Sequence, residues 1–294
     1  PSYLDFADWG TLTGGSFLAT DRAFNHDIAT APRAQMNQAR LKLARFYLAN
    51  HFAAEALGLI DLIQAGDPAL KGDIQLTTMR AAADVEMGRY RDARNELAGP
   101  MFEADRHAAF WRGLADAGME NWKYAHSELE AADAVLSRYS PPWRSRAILA
   151  DAEAALALSR LDLADAAFTR LPRDLPPDLA LEAKLGKARM TAAEGRYGAA
   201  LPLFNAVEEG DDEKLQAQAI YYRTEAGLGA GIITPAHAIE TLERLRFRWR
   251  GDGLELKTLR KLASLYFKAG SWPEGLKTLR VATQNFSGDE ARAA

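Results

Sequence analysis

The sequence predicts an all-α fold, a solenoid of stacked helix pairs, and three observations carry that expectation. Alanine is abundant and β-branched residues are sparse, which favours helix over sheet. A short pattern of turn residue, aromatic, small residue and large apolar residue recurs along the chain. Breakers fall between the copies, at Asp67-Pro68, Gly99-Pro100, Pro141-Pro142, Pro172 with Pro176-Pro177, Asp211-Asp212 and Gly251-Asp252-Gly253.

The elements follow in order. Pro1 to Gly15 holds Tyr3, Phe6 and Trp9 among turn residues, and Ser16 is placed to cap a helix carrying Phe17, Phe24 and Ile28 on one side. Residues 1–33 form an N-terminal segment with a capping helix, and residues 34–294 form the repeat array. The segment reads either as a cap over the first copy or as a junction with an upstream domain. In the first copy Leu41, Ala44, Tyr47 and Leu48 share one helical face, and Phe52, Ala56, Ile60 and Pro68 follow. The second copy reads Gly88, Tyr90, Ala93, Leu97. The third is Trp122, Ala125, Leu129 and the fourth Leu161, Ala164, Phe168, both without a turn glycine. The fifth, Gly195 to Phe204, is the clearest. The sixth has its turn enlarged by Gly227 to Pro235. The last has Leu259, Leu262, Ala263, Tyr266 and Phe267 on its first helix, then Gly270, Trp272, Gly275 and Leu279.

The small residues Ala56, Ala93, Ala125, Ala164, Ala200, Ala238 and Gly275 are spaced roughly 32 to 39 residues apart, the period of helix-pair solenoids. Two antiparallel helices joined by a short turn approach closely only where a side chain is tiny. A single pair leaves an apolar face open, so pairs must stack.

These residues resemble tetratricopeptide repeats, about seven of them from Ala34 to Phe286. Leu43-Ala44, Tyr47, Ala56 and Pro68 of the first copy are among the best matches. Sel1-like and pentatricopeptide families share much of the pattern. The resemblance implies a right-handed superhelical solenoid whose first helices line a concave, partner-binding face. The stretches Ala39 to Leu48 and Leu245 to Glu255 also look similar to segments of long exported Gram-negative envelope proteins. That likeness implies a bacterial protein in the periplasm or envelope, with the cytoplasm as the alternative.

Composition adds limits. Apolar residues make up 48% and charged residues 26%, enough for a sizeable core. With a formal charge of -4, nothing global suggests nucleic-acid binding, and no apolar run is long enough to span a bilayer. There is no cysteine, which removes disulfides and thiolate chemistry. Pro1 at the start suits a piece of a longer or processed protein. His26, His51, His107, His126 and His237 make no zinc pattern, and no Gly-x-Ser-x-Gly elbow occurs. Gly227 to Gly231 follows a helix rather than a strand, so it reads as a turn insertion and not a dinucleotide loop. Asp211-Asp212-Glu213 reads as a helix start. No catalytic residue, cofactor or metal is expected.

Recognition remains. Helix faces opposite the apolar stripe give Arg45, Arg146, Glu153, Arg189, Arg223, Arg260, Ser264 and Lys268, with Phe110, Leu114 and Leu149 on the same face. This mostly basic series reads either as a solvated face or as a groove for an acidic or carboxylate-terminated segment, since Arg offers a bidentate fork. Co-chaperone repeats that grip heat-shock carboxyl termini use Lys and Asn on first helices. Gln38, Leu41, Arg45 and Gln75, Thr78, Ala82 stand here instead, so that ligand is not supported. Arg244, Arg246, Phe247, Arg248, Trp249 and Arg250 read as helix-end packing in preference to a nucleic-acid or lipid patch. The expected function is a non-catalytic scaffold for a protein or peptide. The alternatives are a self-assembly module and a regulatory domain of an enzyme whose catalytic part lies elsewhere. The last helix, with Leu279 and Phe286, is expected to leave an apolar outer face, giving self-association through the C-terminal end or continuation into further helices.

Overall fold

The computed structural model describes residues 2–11 and 15–286. Two helices come first, α1 (Phe6–Trp9) and α2 (Phe17–Thr30). Seven pairs follow among the described residues. They are α3 (Met36–Ala49) with α4 (Ala53–Gly66), α5 (Ile74–Glu86) with α6 (Tyr90–Glu96), α7 (Arg106–Gly118) with α8 (Trp122–Leu136), and α9 (Pro141–Ala157) with α10 (Leu161–Thr169). Then come α11 (Pro177–Ala193) with α12 (Tyr197–Glu208), α13 (Glu213–Gly229) with α14 (Pro235–Arg248), and α15 (Gly253–Lys268) with α16 (Trp272–Asn285).

The chain divides into two compact units, Pro1–Arg173 and Asp174–Ala294. In the first, α3, α5, α7 and α9 pack side by side in sequence as one layer, with the second helices behind them. In the second, α11 packs on α13, and each second helix also touches the next first helix.

Every pair closes with the same turn. One residue takes positive φ after the first helix: His51, Gly88, Glu120, Ser159, Gly195, Gly231 and Gly270 in order. The next N–H reaches back five residues, as in Arg89 to Asp84, Asn121 to Asp116 and Ser271 to Tyr266. This is the Schellman bond that satisfies orphan helix carbonyls. The turns without glycine therefore keep the geometry and place Glu120 and Ser159 in the left-handed region. In the sixth pair Thr234 caps α14 by accepting from the His237 N–H at 3.2 Å, and the enlarged turn stays a turn.

Ala56, Ala93, Ala125, Ala164, Ala200 and Ala238 are buried at the helix crossings. A Cβ on Gly275 would meet the Phe267 ring at 2.4 Å, so that crossing accepts no larger residue without movement. Asp212 caps α13 by accepting from the Leu215 N–H at 2.8 Å, as the acidic run predicts. Ser16 accepts from the Ala19 N–H at 3.1 Å and starts α2. The Phe17 ring then stacks on Phe46 and Phe52 at 5.0 and 4.7 Å, so α2 covers the first pair. At the other end Trp272, Leu276 and Leu279 are exposed on α16. Ser287 to Ala294 lie outside the described residues.

Candidate functional site

The most built surface lies on the first helices of the first unit. Asp105 begins it by capping α7, accepting from the His107 and Ala108 N–H groups at 2.8 and 3.1 Å. That cap sets His107, Phe110 and Trp111 at i, i+3 and i+4, on one side of the helix. Pro141 at the start of α9 suits a first-turn proline and fixes Trp143 beside them. Between α8 and α9, Tyr139 is buried with its ring flat on Phe110, 4.0 Å and 4°. Trp111 meets Trp143 edge to face at 4.7 Å. Burial drives the Tyr139 hydroxyl far above its ordinary pKa, so it stays neutral, 3.1 Å from His107 Nδ1.

Residues 2–10 lie on this aromatic floor. The Ser2 hydroxyl donates to Asp105. Tyr3 donates to the Arg138 carbonyl at 2.9 Å, its ring sits 5.1 Å from His107, and the Arg138 guanidinium covers it at 4.3 Å. Leu4 and Phe6 are buried. Phe6 stacks on Trp143 at 5.6 Å and meets Trp111 edge-on at 5.8 Å. Trp9 reaches α3, where Arg45 lies over its ring at 5.2 Å. Partial burial works against ionisation of Asp105. The bonds from Ser2, Ala108 and His107 outweigh it and hold the carboxyl below its ordinary pKa.

The predicted site residues fall into three groups. Phe110, Leu114 and Leu149 are buried in the first unit, with Phe110 wholly enclosed. They are core, not partner-facing surface, because a first helix inside a stack is covered by its own partner and by both neighbours. Several arginines are held within the molecule. Arg45 is bonded to Gln75 and covers Trp9, and burial followed by the Asp73 and Asp8 charges sets its pKa, which ends below the ordinary value. Arg146 lies 5.7 Å over Trp143, Arg189 lies 3.9 Å over Tyr222, and Arg223 pairs with Glu208 at 2.6 Å. Glu153 on α9 and Arg260 on α15 are half-buried, while Ser264 and Lys268 on α15 are exposed. In the arginine-aromatic run, Arg246 and Arg250 sit over Phe247, and Arg246 pairs with Glu243 at 2.9 Å. That is helix-end packing. No group of three or more His, Asp or Glu able to hold a metal stands among the described residues.

Tyr3, Phe6, Trp9, Trp111, Tyr139 and Trp143 were not singled out as a site by the sequence. The spacing of three aromatics at i, i+3 and i+6 was the one available signal. The sequence leaves the N-terminal segment as a cap over the first copy or a junction with an upstream domain. Both α1 and α2 pack on α3 of the first pair, and Ser2, Tyr3 and Phe6 also reach the third and fourth pairs.

No protein-family model matches the sequence, and no curated protein matches it. Solved structures do. The apo form of the quorum sensor NprR from B. thuringiensis is similar over 95% of this chain and 97% of that chain, with a TM-score of 0.62 at 10% identity. NprR in complex with its cognate peptide NprX is similar over 96% of this chain and 82% of that one, with a TM-score of 0.56 at 10% identity. A tetratricopeptide repeat protein from Parabacteroides merdae ATCC 43184 covers 89% of this chain and 95% of its own, at 18% identity and a TM-score of 0.48. The fold is a tetratricopeptide-like helical repeat. At these identities the likeness concerns fold alone. Within this fold the aromatic floor is made by Trp111 on α7, Trp143 on α9 and Tyr139 in the turn before α9.

Proposed function

We propose that this chain is a non-catalytic scaffold that holds an extended segment of a partner protein against the first helices of its repeats. One observation carries the reading. A stretch of non-helical polypeptide, Ser2 to Asp5, is already held at the starts of α7 and α9: Ser2 bonds Asp105, the cap of α7, Tyr3 packs on His107 of α7 and on Tyr139 just before α9, and Leu4 is buried. NprR, whose fold is similar, has been captured with its cognate peptide NprX, which supports a peptide or protein partner here. Helix-pair repeats present such surfaces because stacking leaves one side of each first helix unclaimed by the core. Panning a random peptide library against the chain tests this. Enriched peptides should cross-link to α3, α5, α7 or α9, or to α11, α13 or α15. Enrichment confined to the second helices would contradict the reading.

An acidic feature in the partner is the finer reading for the second unit, supported by the exposed Lys268 and the half-buried Arg260 on α15. Binding to that unit should weaken as salt rises and fall with Arg260→Glu plus Lys268→Glu. Self-assembly is a second reading, favoured by the exposed Trp272, Leu276 and Leu279 on α16. Sedimentation should show association that rises with concentration and is lost with Leu276→Lys. A strict monomer in both would remove it.

A further inference from the structure

Residues 2–10 are bound the way a ligand is bound. Their only local order is α1, a single turn capped by Asp5, which accepts from the Asp8 N–H at 3.2 Å. A four-residue helix has no stability of its own in water. The order of the segment therefore comes from the surface beneath it. Its backbone makes no hydrogen bond to the repeat backbone among the described residues; the Trp9, Gly10 and Thr11 N–H groups all bond within the segment. Attachment is by side chains: Ser2 to Asp105, Tyr3 to Arg138, Phe6 on Trp143, Trp9 under Arg45. These partners lie far along the chain, 103 residues away for Ser2 and 135 for Tyr3.

We infer that Ser2–Gly10 is a displaceable internal ligand that occupies the partner surface of the first unit. A partner segment carrying aromatics at i, i+3 and i+6, with a small hydroxyl residue ahead of the first, takes its place. This inference rests on the scaffold reading above and names the chemistry of the occupant. The spacing follows from the floor. Tyr3 is served by His107 and Arg138, Phe6 by Trp111 and Trp143, and Trp9 by Arg45, so each aromatic has its own station. Two rings stand ready for Phe6 at edge and face geometry, which suits aromatic and not aliphatic side chains. Because the segment is covalently joined, its effective concentration at the floor is on the order of millimolar, and a free partner of modest affinity is held off. Occupancy by the internal segment lowers the apparent affinity by the fraction of time the floor is open. The chain then binds only partners that outcompete its own residues 2–10.

A fluorescein-labelled peptide of sequence Ser-Tyr-Leu-Asp-Phe-Ala-Asp-Trp-Gly serves as the probe, read by anisotropy. The chain with Tyr3→Ala, Phe6→Ala and Trp9→Ala keeps the floor and loses the occupant. It should bind the peptide at least about tenfold more tightly than the unchanged chain, given a millimolar internal competitor. A peptide with its three aromatics replaced by alanine should bind neither. A second variant locks the segment down. A Cβ on Gly10 would lie 3.6 Å from that of Ala49, within disulfide range, and the chain has no cysteine of its own. Gly10→Cys with Ala49→Cys should bind the peptide when reduced and lose binding when oxidised. If the triple variant fails to fold, oxidised against reduced protein at about millimolar peptide decides the matter. Equal binding by locked and unlocked protein, or binding by none of the forms, overturns the internal-ligand reading. Library peptides that bind elsewhere on the first helices despite the lock would leave the scaffold reading standing while this one falls.

Discussion

The first helices of the two units are built from different chemistry on one grammar. In the first unit the layer presents Trp111 and Trp143, with Tyr139 of the α8–α9 turn beside them and the chain's own Phe6 upon the two tryptophans. In the second it presents cations engaged locally: Arg189 on Tyr222, Arg223 with Glu208 at 2.6 Å, and Lys261 with Glu225 at 3.0 Å. The turns and small crossings are nevertheless the same in both. The pair geometry is fixed by a left-handed residue and an alanine, and the exposed side of each first helix is free to differ. Fold and recognition are thus separable along this sequence.

Substitutions can break or sharpen that contrast. The largest effect should come from Trp111→Ala, which empties a fully enclosed site in the first unit. A loss of about 3–5 kcal/mol is expected by denaturant titration, with amide exchange rising in α7 to α9 before α13 to α16. Uniform loosening of both units would show that they do not behave separately. Ala93→Leu and Ala200→Leu probe the shared grammar, one in each unit. Each should cost about 1–3 kcal/mol by overpacking, and an unchanged melt in both would remove the repeat register. Arg189→Ala removes a cation from the Tyr222 face and should cost about 0.5–1 kcal/mol with fold and first unit undisturbed.

The smallest effect concerns acid. The Asp105 carboxyl has a folded pKa below its unfolded one, so its contribution is present above the unfolded value and lost as pH falls through the folded one. Ser2 and the α7 cap should therefore loosen only below about pH 4, the ordinary aspartate range. Exchange at His107 and Ala108 amides should rise there, and Asp105→Asn should flatten that dependence.

Much of the fold was legible because its signals are local. The seven small residues, the breakers and the apolar stripes of α3 and α15 each speak within one or two turns of helix. The turns at His51, Glu120 and Ser159 were not legible as left-handed, since tertiary packing imposes that conformation on residues that do not prefer it. Phe110, Leu114 and Leu149 were misplaced for a related reason. The face opposite a stripe is surface in a lone pair, but in a stack the neighbouring first helices cover much of it. The aromatic floor was hidden most deeply. Its members come from α7, α9 and the turn between α8 and α9, residues 2–10 lie on them, and contacts across more than a hundred residues leave no periodic trace.

The central claim is that the first helices of the first unit are a peptide-holding surface. The six tryptophans divide usefully for it: Trp9, Trp111 and Trp143 at the floor, Trp122, Trp249 and Trp272 away from it. Indole N–H signals of nitrogen-15-labelled protein, followed as the Ser-Tyr-Leu-Asp-Phe-Ala-Asp-Trp-Gly peptide is added, report on each directly. Saturable shifts at Trp9, Trp111 and Trp143, with the other three unmoved, are the predicted result. Signals that stay fixed at the floor, or shifts confined to Trp249 and Trp272, would contradict it.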